Sequence, residues 1–409
     1  MLKENSYTLQ KISADYIFPI TSDPLKKGIL ILDDNGMITD IIDPANANYS
    51  LADVEYHEGF ICPGFVNTHC HLELSYLKGK IKEHSGLDQF IIQLENIRKG
   101  INEEDEEEAI LNAEQEMINN GIVAVGDICN NNSTFSTKNK NNIYYHSFIE
   151  SFASAPEKAE KVFNKAVSLY NEIIRNEYNP NASITPHALY SLSKALFLKI
   201  KEFDEESGNI ISIHHQESEE ENKFFLSKDG NINDMHFRFG VEKSDFSNSG
   251  KRPLSAVADF IPKDLSLQLV HNTVTTDIDI DFSEHYFKTL YWCFCPNANL
   301  YIESKLPDFA LFYNRKCRIT IGTDSFASNK SLSILEELKT IHANVPFVPL
   351  HELLKWATYN GVEFLRINKN FGSLEKGKSP GLVLLENVNN DRLQIKKETT
   401  SRLLIKQKA

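Results

Sequence analysis

Short apolar runs alternate along this chain with stretches whose apolar residues recur at helical spacing, and that alternation predicts its architecture. The runs occupy residues 59–67, 122–127, 143–149, 182–186, 210–213, 265–270, 291–295 and 318–321. Between them, Leu87, Phe90, Ile91, Leu94 and Ile97 recur at helical spacing, and so do Ala159, Val162, Phe163, Ala166, Tyr170, Ile173 and Ile174. The acidic run Glu103-Glu104-Asp105-Glu106-Glu107-Glu108 predicts the first turn of another helix, where carboxylates complement the helix dipole. Strands alternating with helices imply a parallel sheet, and eight such units imply an α/β fold of the closed (β/α)8 TIM-barrel type, about 250 residues or more.

The two ends read differently. Residues 7–16, 28–32 and 37–42 form short strand-like runs, with Asp33-Asp34-Asn35-Gly36 as a hairpin turn. Near the other end, Gly372-Ser373-Leu374-Glu375-Lys376-Gly377-Lys378 precedes Leu382-Val383-Leu384-Leu385. Both ends are expected to pair into one small β unit, residues 1–59 with 372–409, flanking a barrel of 60–371. The connection over residues 219–262 is long and rich in Gly, Asn and Ser, and predicts an active-site loop with short helical pieces.

Composition narrows the class. The 409 residues carry 41% hydrophobic and 24% charged side chains and a net charge of −14. That balance is globular and offers no basic field for nucleic acid or an anionic membrane. No segment approaches the ~18 consecutive apolar residues of a membrane span, and the start lacks the apolar core of a signal peptide. Six cysteines stand in apolar segments without a C-x-x-C pair, which fits reduced thiols and a cytoplasmic location. The expected partner is a small-molecule substrate, and a homodimer is the candidate assembly.

A barrel places its chemistry after the C-terminal ends of its strands. There the chain sets His69 and His71, Asp127, Glu150, His187, the run His214-His215-Gln216-Glu217, His271-Asn272, Cys295-Pro296-Asn297, and Gly322-Thr323-Asp324. His69 and His71 share one face of a strand, because alternate residues do, and Cys70 faces away. A catalytic zinc takes several N/O ligands and leaves one position for water. His69, His71, His214 and Asp324 make such a set. Glu217 is the candidate to move the water's proton, and His271 to hold that water or its developing oxyanion. His215 alternates away from His214 and is expected to be structural. His57, His84, His146, His236, His285, His342 and His351 fall outside the pattern and are assigned to surface or packing. H-E-x-x-H, P-C-x-x-C and a glycine-rich phosphate loop are absent from the sequence.

PGFVNTHCHLELS, TPHALYS, IHHQES, VHN, CPNAN, GTDSFASN, ATYNGVEFL and GSLEKGK follow one another along nearly the whole chain. In these pieces it resembles the amidohydrolase superfamily, especially the branch of S-adenosylhomocysteine deaminases, aminodeoxyfutalosine deaminases and triazine chlorohydrolases. The resemblance implies a barrel with a β-sandwich built from both termini. It also implies one divalent metal on His69, His71, His214 and Asp324, with zinc as the default and iron or manganese as alternatives. Glu217 and His271 take the proton-shuttle and water-orienting positions, and His187 contacts the substrate. Thr185-Pro186-His187 offers no lysine for carboxylation, which argues against the two-metal branch. Residues 86–90 replace a tryptophan-containing segment of adenosine-type members, and Ser379-Pro380-Gly381 replaces the usual Ala-Asp. Glu73 is expected either at the pocket mouth, binding substrate, or behind the ligands.

The implied reaction is hydrolytic deamination of an amino-substituted heteroaromatic ring, with an adenine-bearing nucleoside derivative of the aminodeoxyfutalosine or S-adenosylhomocysteine kind as substrate. Two alternatives keep the scaffold. One is another C–N or C–Cl bond, of guanine, guanidine or triazine type; the other is a non-catalytic binding protein.

Overall fold

The computed structural model describes residues 9–46, 53–100, 102–227, 230–242 and 244–406. The chain divides into two compact units, one of residues 1–67, 115–124 and 333–409 and the other of 68–114 and 125–332.

In the first unit both chain ends enter one seven-stranded sheet, in the order Thr400–Ile405, Leu382–Glu386, Val54–Pro63, Gln10–Ile17, Ile29–Leu32 and Ile38–Ile42, with Leu25–Lys26 paired to Gln10–Ile17. Of the first expected strand, Tyr7 and Thr8 lie outside the described residues. Alternate residues of these strands, including Ile12, Ala14, Leu30, Leu32, Ile61, Leu382 and Leu384, form one buried cluster. The Asp33 carboxylate accepts the N–H groups of Asn35 and Met37 at 2.9 Å each, and Gly36 has φ +76°, so the expected hairpin turn forms.

One expected strand is divided. The run 59–67 is broken at Gly64: residues before it belong to Val54–Pro63, antiparallel to Leu382–Leu385, and a new strand starts at Phe65. The reason is steric. The Gly64 N–H reaches the carbonyls of Pro380 and Gly381 at 3.2 Å each, and a Cβ there would stand 2.3 Å from Val123 Cγ1. Hydrophobicity runs through the break, so periodicity alone does not reveal it.

The strands that carry the site are β1 (Phe65–Cys70), β2 (Ile122–Cys129), β3 (Tyr144–Ser151), β4 (Ala182–Pro186), β5 (Ile211–His215), β6 (Ser266–His271), β7 (Thr289–Phe294) and β8 (Ile319–Ile321). They form two four-stranded sheets, β1-β2-β3-β4 and β5-β6-β7-β8. The pairs β3–β4, β5–β6, β6–β7 and β7–β8 are parallel. Strands β1, β2, β4, β5 and β8 are buried along their whole length, as parallel strands covered on both faces should be. Hydrogen bonds also join the two sheets. The His214 N–H donates to His187 O at 2.9 Å, and the N–H groups of Thr323 and Asp324 donate to His69 O at 3.1 and 3.0 Å. Buried Gln268 on β6 donates to Thr68 O at 3.1 Å and to Ser212 Oγ at 3.2 Å, and accepts from Thr320 Oγ1 at 2.9 Å.

The helices Leu87–Ile97, Glu103–Asn119 and Ala159–Ile173 stand where periodicity places them. The long connection after β5 contains Glu219–Leu226, Asn231–Arg238 and Pro253–Val257, the short helical pieces expected of it. Among the described residues no helix is long and apolar enough to cross a membrane.

Candidate active site

The polar floor of one cavity is built from strand ends. His69 lies in β1 and His71 one step beyond it, so their rings emerge on the same side, with the two Nε2 atoms 3.2 Å apart. Asp324 follows β8, and its Oδ1 stands 3.5 Å from His71 Nε2 and 3.8 Å from His69 Nε2. Its other oxygen accepts the Ser328 hydroxyl at 2.6 Å, which fixes the carboxylate. His214, on β5, has Nδ1 turned to His187 O at 2.9 Å, so Nε2 is the free acceptor. Its ring centroid lies 4.8 Å from that of His69 and 5.4 Å from that of His71.

Three lone-pair donors crowd around one point here, and such an arrangement calls for a cation between them. Burial holds His69 and His71 well below the usual imidazole range and brings His214 down to about 3. Neutral imidazole is the ligand form. The residues present therefore fit a divalent metal. Of three candidate ligand groups among the described residues, His69–His71–Asp324 and His69–His214–His271 meet at His69, and Glu150–His187–His214 shares His214 with the second. Cys70 is in none of them, as alternation along the strand requires.

Glu217 and His271 face each other beside this set, His271 Nε2 standing 3.8 Å from Glu217 Oε1. His271 Nδ1 is 3.3 Å from Asn299 Oδ1, which selects the tautomer with the proton on Nδ1. Burial first, then the Asp324 and Glu303 charges, push the Glu217 carboxyl well above its ordinary range. Gln216, His271 and Asp324 have φ values of +44°, +77° and +57°. Left-handed backbone at non-glycine residues is strained, and here it falls on the strand ends that aim these side chains. His187, after β4, hydrogen-bonds Ser191 Oγ through Nδ1 at 3.0 Å, and its ring lies 4.8 Å from that of His214, centroid to centroid, at a tilt of 40°. His215 points away, to Asn272 Oδ1 at 3.0 Å.

His71, His187, His214, Glu217, His271 and Asp324 line a cavity of about 390 Å³. Glu73 does not. It is 1% exposed, accepts from Arg98 Nη2 and from the Asn130 N–H at 2.9 Å each, and is absent from the cavity wall. Of the two places expected for Glu73, this geometry favours the one behind the ligands: its carboxylate holds Arg98, which does line the cavity. Asp127 is in none of the candidate ligand groups. It pairs with Lys138 at 2.7 Å and accepts the Leu72 N–H at 2.8 Å, bracing the turn after His71.

Three residues beyond the expected site join it. Glu150, at the end of β3, places Oε1 3.5 Å from His214 Nδ1 and accepts from Asn130 Nδ2 at 3.1 Å. His236, assigned to surface or packing from sequence, is 6% exposed and lines the cavity. Arg98 follows the helix Leu87–Ile97. Only the strand-end position of Glu150 was a usable signal.

A 5-methylthioadenosine/S-adenosylhomocysteine deaminase of Bacillus cereus (strain AH820) is 25% identical over 368 residues, 84% of this chain and 77% of that protein. An aminofutalosine deaminase of Helicobacter pylori, solved in complex with methylthio-coformycin, is similar with a TM-score of 0.82 at 23% identity, covering 98% of this chain and 99% of that one. An adenosine deaminase of Xanthomonas campestris with bound zinc reaches 0.75 at 20% identity, covering 97% and 92%. These structures show the (β/α)-barrel type of fold. The model of the amidohydrolase family matches residues 60–401, well over half of the sequence, and the chain belongs to that family.

Proposed function

We propose that the protein hydrolytically deaminates an amino-substituted heteroaromatic compound, an adenine-bearing nucleoside derivative by preference. The observation that carries this reading is the pairing of a buried Glu217 with His271 beside the His69, His71, His214 and Asp324 donor set. The deaminase names of the relatives support it. In this reading the two sheets close into one eight-stranded barrel through the seams at His69 and His187, with residues 60–371 as the catalytic part. The terminal sheet, of residues 1–59 and 372–409, folds over itself as a sandwich.

One divalent ion, zinc by default, is held by His69, His71, His214 and Asp324, and when bound it supplies Lewis-acid activation of water. The reaction adds water across the ring carbon bearing the amino group and releases ammonia, so two protons must move. Glu217, as a carboxylate, accepts the first from the attacking water and gives it to the ring nitrogen; it then takes the second from the hydroxyl so added and gives it to the amino group, which leaves as ammonia while the ring carbon becomes a carbonyl. His271, fixed by Asn299, orients the attacking oxygen together with Asp324. His187, fixed by Ser191, contacts the ring system. The surrounding protein excludes bulk water from these transfers.

Ammonia and chloride release from adenosine derivatives, guanine, guanidines and chlorotriazines tests the reading. Ammonia from the adenosine derivatives is the expected result. Turnover confined to any of the other three would overturn it.

A further inference from the structure

Glu150 carries a carboxylate oxygen that the fold leaves unused. Its side chain, at the end of β3, is 4% exposed. Oε2 accepts from Asn130 Nδ2 at 3.1 Å, but the buried Oε1 has no hydrogen-bond partner. His214 Nδ1 lies 3.5 Å from Oε1, yet it stands 2.9 Å from His187 O. A carbonyl only accepts, so the Nδ1 hydrogen is committed there. Arg98 does not supply the missing charge, being held by Glu73 at 2.9 Å and by Glu95 at 3.5 Å. A buried carboxylate oxygen without a partner costs free energy, and one that faces a cavity calls for a ligand.

His187 offers a second donor beside it. The Ser191 hydroxyl gives its one hydrogen to Ala188 O at 2.8 Å, so toward His187 Nδ1, 3.0 Å away, it can only accept. That puts the ring proton on Nδ1 and a lone pair on Nε2. Glu150, His187 and His214 form one compact group, with donor atoms within 4.8 Å of one another, and all three line the same cavity. His214 is not a ligand here, because its Nδ1 bears hydrogen and its Nε2 belongs to the first donor set. An imidazole nitrogen and a carboxylate oxygen remain, from the ends of the paired strands β3 and β4. Such a pair suits zinc, cobalt or nickel better than magnesium or calcium, which take oxygen ligands.

We infer that Glu150 and His187 hold a second divalent transition-metal ion, bound more weakly than the first and inhibitory. Two protein donors, with water completing the coordination, make a weaker site than four. The ion occupies the imidazole that contacts the substrate, so excess metal competes with substrate. The site stands on the contacts above; only the competition rests on the deaminase reading.

Zinc uptake is the test. Protein carrying its first zinc ion is equilibrated with rising free zinc, and bound metal is read by elemental analysis. The parent should take up a further equivalent. Glu150→Gln and His187→Gln, both outside the first donor set, should keep the first ion and lose the second, and magnesium should not replace it. Zinc-edge diffraction from soaked crystals of the parent needs no variant: anomalous density should stand between Glu150 and His187. With an adenosine derivative, the second ion should raise KM and leave kcat unchanged, and Glu150→Gln should require about tenfold or more zinc for the same inhibition. No further equivalent in the parent, no density between the two residues, or uptake unchanged in both variants (adventitious zinc on other histidines) would overturn the site. A fall in kcat at constant KM would overturn the competition. Ammonia from no adenosine derivative would remove the deaminase reading, while the metal counts and the density would still decide the site.

Discussion

Glu217 is the residue on which the proton movements converge, and it can be removed without touching the donor set. Glu217→Gln keeps the shape and a hydrogen-bonding oxygen but cannot accept a proton. The expected outcome is unchanged metal content with kcat lowered by about 10²-fold to 10⁴-fold, the range typical of a lost general acid–base. Elemental analysis and steady-state kinetics on the same sample check it, and wild-type-like turnover would end the assignment. At this scale the sequence was legible wherever local geometry decides. His69 and His71 share a face because strand side chains alternate, and His215 points away for the same reason. Arg98 and His236 were not legible, and for Glu73 the sequence left two places open, because these roles rest on contacts such as Arg98–Glu73 and Ser154–His236, which join positions 25 and 82 residues apart.

Elements set these side chains through close approaches of backbone. Gly322 follows β8 directly, where a Cβ would stand 2.7 Å from His69 Cβ and 2.9 Å from Cys295 Sγ. Gly322→Ala should therefore displace His69, costing about 1–3 kcal/mol of stability and about tenfold or more in metal affinity, measured by chelator competition. A variant that binds metal like the parent would show that the approach is looser than drawn. In the helix Glu219–Leu226, Glu221 is 1% exposed, and its carboxyl accepts the Glu217 N–H at 3.3 Å. Burial pushes it up to about 8, against the pull of the Gln216 and Glu217 N–H groups. The folded form thus binds its proton more tightly than the unfolded chain. Its contribution is full below pH 4.5, the model carboxyl value, and is lost as pH rises toward 8. Urea unfolding of the parent minus Glu221→Gln should fall by roughly 3–5 kcal/mol between pH 5 and 8; a flat difference would refute it. The eight-unit rhythm was legible at this scale because seven of the runs match observed strands within two residues. The break at Gly64 was not, since apolar residues continue through it and only the packing against Val123 and Pro380 requires glycine.

Across the whole molecule, the candidate metal ligands stand at the two places where the four-stranded sheets meet. His69 O accepts the N–H groups of Thr323 and Asp324 at one seam, and His187 O accepts the His214 N–H at the other. An ion held by His69, His71, Asp324 and His214 therefore ties β1 to β8 and to β5. Binding that favours the folded state adds stability by mass action, and here it should be concentrated at the seams. Without the ion, several buried imidazoles and a carboxylate are left facing one another with reduced compensation, and local opening becomes cheaper there than elsewhere. Hydrogen exchange before and after chelation reads this directly. Amide protection should drop at His214, Thr323 and Asp324 and return when zinc is restored. The amides of Val383, Leu384 and Leu385, which pair in the terminal sheet, should keep theirs. A uniform loss across both sheets would instead mean that the ion supports folding as a whole, and no change at the seams would mean that these four side chains do not share an ion.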